Sequence, residues 1–291
     1  MNVVTQKFLD TQENVSLTDE YKEENGKRYR KVSYGHRLPW MALLRNLRNI
    51  SQAGVSEEAE RQVYDYITNP TAVANSKQLP FDLLEAYKAV KEVNSTFFAK
   101  AVSQAMDISL SNIPSFGEKI WVIVDFSGSM GNNDGIVMSN ATLLASAILK
   151  SNNNTRTALT LFGSGALTLT DFPSTDSLVT MQHAMLTYRV GEIAGYTQFD
   201  KALNEYNRLG FIPDTIIVCT DGEVNRFPYQ ALFGLADGAI KLVINMEGAQ
   251  STPFIKSDGW HSLSGFSSSM FKFIEGIRNE QSVVEQLSHP F

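Results

Sequence analysis

From Gly117 onward the chain alternates apolar runs of strand length with helical stretches, and this constrains its fold more than any other feature. "KIWVIVDFS" (119–127), "RTALTLFG" (156–163), "DTIIVCTDG" (214–222) and "IKLVINME" (240–247) read as strands. "ALTLTDF" (166–172) reads as a short edge strand. Helices are expected over 135–151, 177–186, 198–210, 228–238 and 267–279. Continuous Val/Ile runs, without polar alternation, belong to strands covered on both faces. Such strands separated by helices predict an α/β fold with a doubly wound, mostly parallel sheet.

A small all-α segment is expected in front. Trp40, Leu43, Leu44, Leu47 and Ile50 recur at steps of three and four, with Pro39 in a position that suits a first turn. Ser56 is placed to cap a second helix, with Glu57 and Glu58 at its positive end and Asn69-Pro70 after it. Two more helices are expected from about Pro80, with Phe81, Leu84 and Tyr87, and from about Ser95, with Phe98, Val102 and Ala105. Residues 1–34 show no sustained period and read as a flexible arm, 35–112 as the helical segment, and 117–291 as the α/β domain.

Three pieces of sequence fall where a parallel sheet offers its carboxyl edge, the usual ligand-binding side of such folds. They are Asp125-Phe126-Ser127-Gly128-Ser129-Met130, Gly195-Tyr196-Thr197 and Thr220-Asp221-Gly222-Glu223. A hard divalent cation takes about six oxygen ligands at roughly 2.1 Å and usually keeps waters beside one or two carboxylates. Asp125 and Asp221 would supply the carboxylates, and Ser127, Ser129 and Thr197 neutral hydroxyls. Gly128 relieves crowding between the two serines, and Glu223 stands where it would shape a partner's approach. One divalent cation is expected, Mg²⁺ first and Mn²⁺ as a fit to the same octahedral set.

"VIVDFSGSMG", "GYT" and "IIVCTDGE" resemble the metal-ion-dependent adhesion site of von Willebrand factor A-type domains, whose fold is Rossmann-type. The resemblance spans about 117–291. It implies that the metal is held for recognition, with an acidic side chain of a protein partner completing its coordination. "LPWMALLRNLRNIS", "QLPFDLLEAYKAV" and "KLVINMEG…SGFSSSMFKFIE" resemble the carboxyl half of Ro-type (TROVE) proteins, over about 35–291. In that family a ring of helical repeats, joined to an A-type domain, binds small non-coding RNA and the ends of misfolded RNA. The helical segment here is far shorter than that ring. Metal-dependent recognition of a protein is therefore the leading expectation. An RNA-binding component of a Ro-like ribonucleoprotein is the alternative, and a structural component of a larger assembly the third.

Composition narrows the rest. A net charge of −6 argues against nucleic-acid binding by bulk electrostatics. A local basic stretch remains, and Lys27, Arg28, Arg30, Lys31 and Arg37 interleave with Tyr29 and Tyr34, a mixture that suits single-stranded RNA. With one cysteine, Cys219, there is neither a disulfide framework nor a cysteine zinc site, and a cytoplasmic location is expected. Cys219, Met130, Met138 and Met181 read as packing residues, and the four histidines show no metal-ligand spacing. No apolar run of about 18 residues is present, so no membrane span is expected. An enzyme is not expected. Ser127 stands where metal-dependent phosphatases carry a second carboxylate for acid–base work, and no phosphate-binding G-x-x-x-x-G-K-[ST] loop occurs.

Overall fold

The computed structural model describes residues 16–24, 27–33, 39–131, 133, 135–151, 156–172, 176–188, 193–224, 235–247, 259–264 and 270–279, the first two stretches as backbone. Two units divide the chain, Met1–Ser109 and Leu110–Phe291.

The first unit opens with β1 (Ser16–Glu24) and β2 (Lys27–Ser33), an antiparallel pair where the sequence suggests an arm without regular structure. Its register sets Glu23 opposite Arg28 and Glu24 opposite Lys27. A pair with so little apolar alternation leaves no local pattern to reveal it.

Five α-helices follow among the described residues: α1 (Trp40–Ala53), α2 (Glu57–Ile67), α3 (Pro70–Ser76), α4 (Leu84–Glu92) and α5 (Thr96–Ser109). In α1, Trp40, Leu43, Leu44 and Leu47 are buried at the predicted spacing, and the Trp40 indole donates to the Ile67 carbonyl at 3.1 Å. Ser56 caps α2 by accepting from the Ala59 N–H. Asn69-Pro70 both ends α2 and starts another helix: Asn69 accepts from the Ala72 N–H, and Pro70 occupies the first turn of α3, where a missing donor is harmless. Phe98, Val102 and Ala105 of α5 are buried, as their spacing requires.

The second unit is built on a six-stranded sheet of order β5-β4-β3-β6-β7-β8. Its strands are β3 (Lys119–Asp125), β4 (Arg156–Phe162), β5 (Ala166–Leu169), β6 (Thr215–Thr220), β7 (Ile240–Asn245) and β8 (Trp260–Ser264). All pairings are parallel except β4 with the edge strand β5. The described helices are α6 (Ile136–Ser151), α7 (Leu178–Thr187), α8 (Phe199–Asn204) and α9 (270–279). The helix expected over 198–210 is shorter, α8 being followed by a 3-10 turn at Tyr206–Arg208. Most of the helix expected over 228–238 lies outside the described residues, and the stretch 235–238 is a turn. Strand β8 was not anticipated. Only Trp260 of its five residues is buried, so it lacks the apolar run that betrays a central strand.

Strand β3 carries the core on both faces. Trp121 and Ile123 pack with Phe162, Phe199, Val218 and Trp260 on one side. By the two-residue period Ile120, Val122 and Val124 face the other, where α6 lies against β3. Each side chain of this kind, fully buried, stabilises the fold by about 1.5–3 kcal/mol. Cys219 is buried in the centre of the sheet, and burial pushes its thiol up to about 12, as suits an inert packing residue. Met130, Met138 and Met181 are buried too.

Candidate metal centre

The strand order fixes the place of the site. Strand β3 pairs with β4 on one side and β6 on the other, so the connections run in opposite directions from it. A crevice opens at such a switch point, beyond the carboxyl ends of the strands. Val124 is in register with Cys219, which brings Asp125 beside Thr220 and Asp221, residues that are 95 and more positions apart in sequence.

Asp125 is completely buried and held by two bonds. Its Oδ1 accepts from the Ser127 N–H at 2.9 Å and its Oδ2 from the Thr220 hydroxyl at 2.8 Å. Burial pushes its carboxyl up to about 7. The hydrogen bonds from Ser127 and Thr220 oppose that shift, and the charge of Asp221 adds to it. Ser127 is buried, Ser129 is exposed, and their hydroxyl oxygens lie 3.1 Å apart. Asp221 is buried, and its Oδ1 accepts from the Glu223 N–H at 2.9 Å. Its Oδ2 is buried and makes no hydrogen bond.

The Gly195-Tyr196-Thr197 loop is tied directly to the first loop. The Gly128 N–H donates to the Gly195 carbonyl at 2.8 Å, and Thr197 is buried two residues on. Gly128 itself is exposed at the turn, and Glu223 is exposed beside Asp221. Thus the two carboxylates, the two serines and the threonine predicted from sequence lie on three loops at one sheet edge, the first loop linked by hydrogen bonds to each of the others.

Sequence reasoning missed two supports. Thr220 orients Asp125, and its place at the end of a buried strand was the available signal. The Gly163-Ser164-Gly165 turn after β4 holds the threonine loop: the Tyr196 N–H donates to Ser164 Oγ at 2.9 Å, and a side chain at Gly163 would collide with the Ile193 carbonyl oxygen. Glycine is required there by close approach of two backbones.

These residues fit a hard cation. A buried carboxylate oxygen with no donor costs a folded protein about 1–3 kcal/mol or more, and a cation removes that cost. Two carboxylates and three hydroxyls are the oxygen donors a hard cation takes.

Lys27, Arg28, Arg30 and Lys31 belong to β2, and Arg37 lies outside the described residues, as do His36, His289 and Asp134.

The TROVE domain family matches residues 32–162, and the von Willebrand factor type A domain family matches 120–223. The chain carries a TROVE domain followed by a von Willebrand factor A domain. Its TROVE match runs through the helical segment and into β3 and β4 of the A-type domain. A crystal structure of the RO (RSR) protein from Deinococcus radiodurans superposes with a TM-score of 0.59 at 18% identity, covering 83% of this chain and 53% of that one. That likeness establishes a shared fold, and the chain spans about half the length of that Ro protein. Telomerase protein component 1 of Mus musculus is 32% identical over 65 residues, which is 22% of this chain and 2% of that protein. The BatB protein of Bacteroides thetaiotaomicron gives a TM-score of 0.41 at 19% identity over 57% of this chain and 99% of that one. No helix among the described residues is long and apolar enough to cross a membrane.

Proposed function

We propose that this chain is a non-enzymatic component of a Ro-like ribonucleoprotein, in which the TROVE portion contributes to binding RNA and the A-type domain docks a protein through a divalent metal. The observation that carries the reading is the TROVE match over 32–162, continuous with an A-type domain. It favours RNA binding over metal-dependent protein docking as the chain's whole role. Small non-coding RNA and misfolded RNA are the ligands the family suggests. The test is binding of a small structured RNA, and of the same RNA with a single-stranded end, by the full chain at low salt, where phosphate contacts are strongest. Affinity that falls steeply with added salt supports the reading. No binding at any salt concentration refutes it.

Metal-dependent docking is favoured by a separate observation, the orphaned Oδ2 of Asp221 beside Asp125 and the serine pair. Asp125, Ser127, Ser129, Thr197 and Asp221 would hold one Mg²⁺. The ion supplies a positive centre for a partner's carboxylate. The protein holds the ligand oxygens at fixed positions and excludes water from Asp125. The two roles are separable. Asp125→Ala removes metal and partner and leaves RNA affinity unchanged, whereas loss of RNA binding in that variant would contradict the division.

A further inference from the structure

The candidate ligands alone would select only an acid, and the side chains around them narrow the choice. Tyr196 is 70% exposed, yet it sits between a buried candidate ligand and a constrained glycine. Its N–H is held by Ser164 Oγ at 2.9 Å. Gly195, at φ +147, gives its carbonyl to the Gly128 N–H, and a Cβ there would stand 2.5 Å from Ser164 Oγ. The loop therefore presents a large exposed ring from a backbone fixed on both sides. A second exposed apolar residue, Ile136 at 71%, is the first residue of α6, the helix that follows β3 and so starts at the same sheet edge.

We propose that Tyr196 selects the partner at this edge: a protein segment whose metal-binding acid is flanked by apolar side chains. This rests on the metal-dependent docking reading above and goes one step beyond it. A tyrosine on a fixed backbone has only two side-chain torsions to freeze on docking, which is one reason tyrosine is over-represented among residues that dominate interfaces. Charge decides between a protein and a nucleic acid. Among the described residues at this edge Asp125, Asp221 and Glu223 are acidic, a charge that repels phosphate. A phosphate backbone needs cations spread along it. A single carboxylate with apolar neighbours needs one metal and one apolar contact; the candidate ligands would hold the first, and Tyr196 offers the second.

The experiment uses the full chain and two capped peptides, Ser-Leu-Asp-Leu-Ser and Ser-Ser-Asp-Ser-Ser, titrated in Mg²⁺ and in EDTA. Mn²⁺ affinity, by electron paramagnetic resonance, and the melting temperature are read in parallel. The leucine-flanked peptide is expected to bind about tenfold tighter in Mg²⁺, the scale of one interface anchor. Tyr196→Ala is expected to abolish that preference and Tyr196→Phe to keep it, with Mn²⁺ affinity and melting temperature unchanged in both. Equal binding of the two peptides by the wild type, or a preference that survives Tyr196→Ala, overturns the inference alone. Loss of Mn²⁺ binding in Tyr196→Ala overturns it by showing that the residue supports the loop. Failure of either peptide to bind while Mn²⁺ does would sink the docking reading, and the inference with it. Displacement of the leucine peptide by oligouridine would reassign the ring to nucleic acid.

Discussion

Replacing Asp221 with asparagine separates a metal ligand from an ordinary buried carboxylate. The Asp221 Oδ2 makes no hydrogen bond, and the charge of Asp221 helps to raise the neighbouring Asp125 carboxyl. The Asn side chain keeps an oxygen for the Glu223 N–H, so the loop turn survives. Most core substitutions destabilise by about 0.5–3 kcal/mol. Asp221→Asn is expected instead to leave stability in EDTA close to unchanged, because it keeps the acceptor for the Glu223 N–H and removes only an oxygen that has no donor. Mg²⁺ has the opposite effect on the two proteins. At a free concentration of a hundred times Kd a bound ion stabilises the folded state by about 2.7 kcal/mol. For a domain of this size each kcal/mol is worth roughly 2–4 °C, so the wild-type Tm rises by about 5–11 °C. Asp221→Asn loses most of that rise. The assay is a thermal scan of both proteins in EDTA and across a Mg²⁺ titration. A wild-type Tm that is the same with and without Mg²⁺, or an equal rise in the variant, refutes the reasoning.

The raised Asp125 carboxyl makes two pH effects. Its folded value, about 7, lies above the ordinary 3.8, so in EDTA its contribution to stability is complete below about 4 and is lost as pH rises towards 7. Metal needs the ionised form, so Mg²⁺ affinity falls roughly tenfold for each pH unit below 7, with uptake of the ion releasing a proton; calorimetry in buffers of different ionisation enthalpy reads that proton, and an affinity flat from pH 5 to 8 contradicts it. Thr220→Val removes the donor to Asp125 Oδ2 and is expected to weaken Mn²⁺ binding by about tenfold with little change in fold, measured by titration and circular dichroism. Gly163→Ala drives a methyl into the Ile193 carbonyl oxygen and is expected to lower Tm markedly in EDTA, in contrast to Asp221→Asn.

Much of the site was written in local sequence. Asp125 closes one buried, largely apolar strand and Asp221 follows another, and such runs declare themselves because both faces of a central strand must be buried. The helices of the first unit were legible for a related reason, since the spacing of Trp40, Leu43, Leu44 and Leu47 is the helical period itself. Polar or half-exposed elements escaped. The β1–β2 pair rests on cross-strand register, a relation between residues that no single window contains. Strand β8 hides because an edge strand needs little apolar surface. Asn69-Pro70 reads as a stop, and only the arrangement around it reveals a new helix.

By itself, then, the sequence determined the class of fold and the sheet edge at which its candidate oxygen ligands lie, because these follow from residue type and local period. Tertiary structure decided which strands are neighbours. The order β4-β3-β6 sets Asp125 beside Thr220, raises its carboxyl and leaves an Asp221 oxygen without a donor. It also decided that Gly163 must yield space to Ile193 and that Tyr196 stands in solvent on a fixed loop. Distance in space, burial and charge proximity arise only when segments far apart in the chain are packed together, and those are the quantities on which the proposed metal binding and docking would depend.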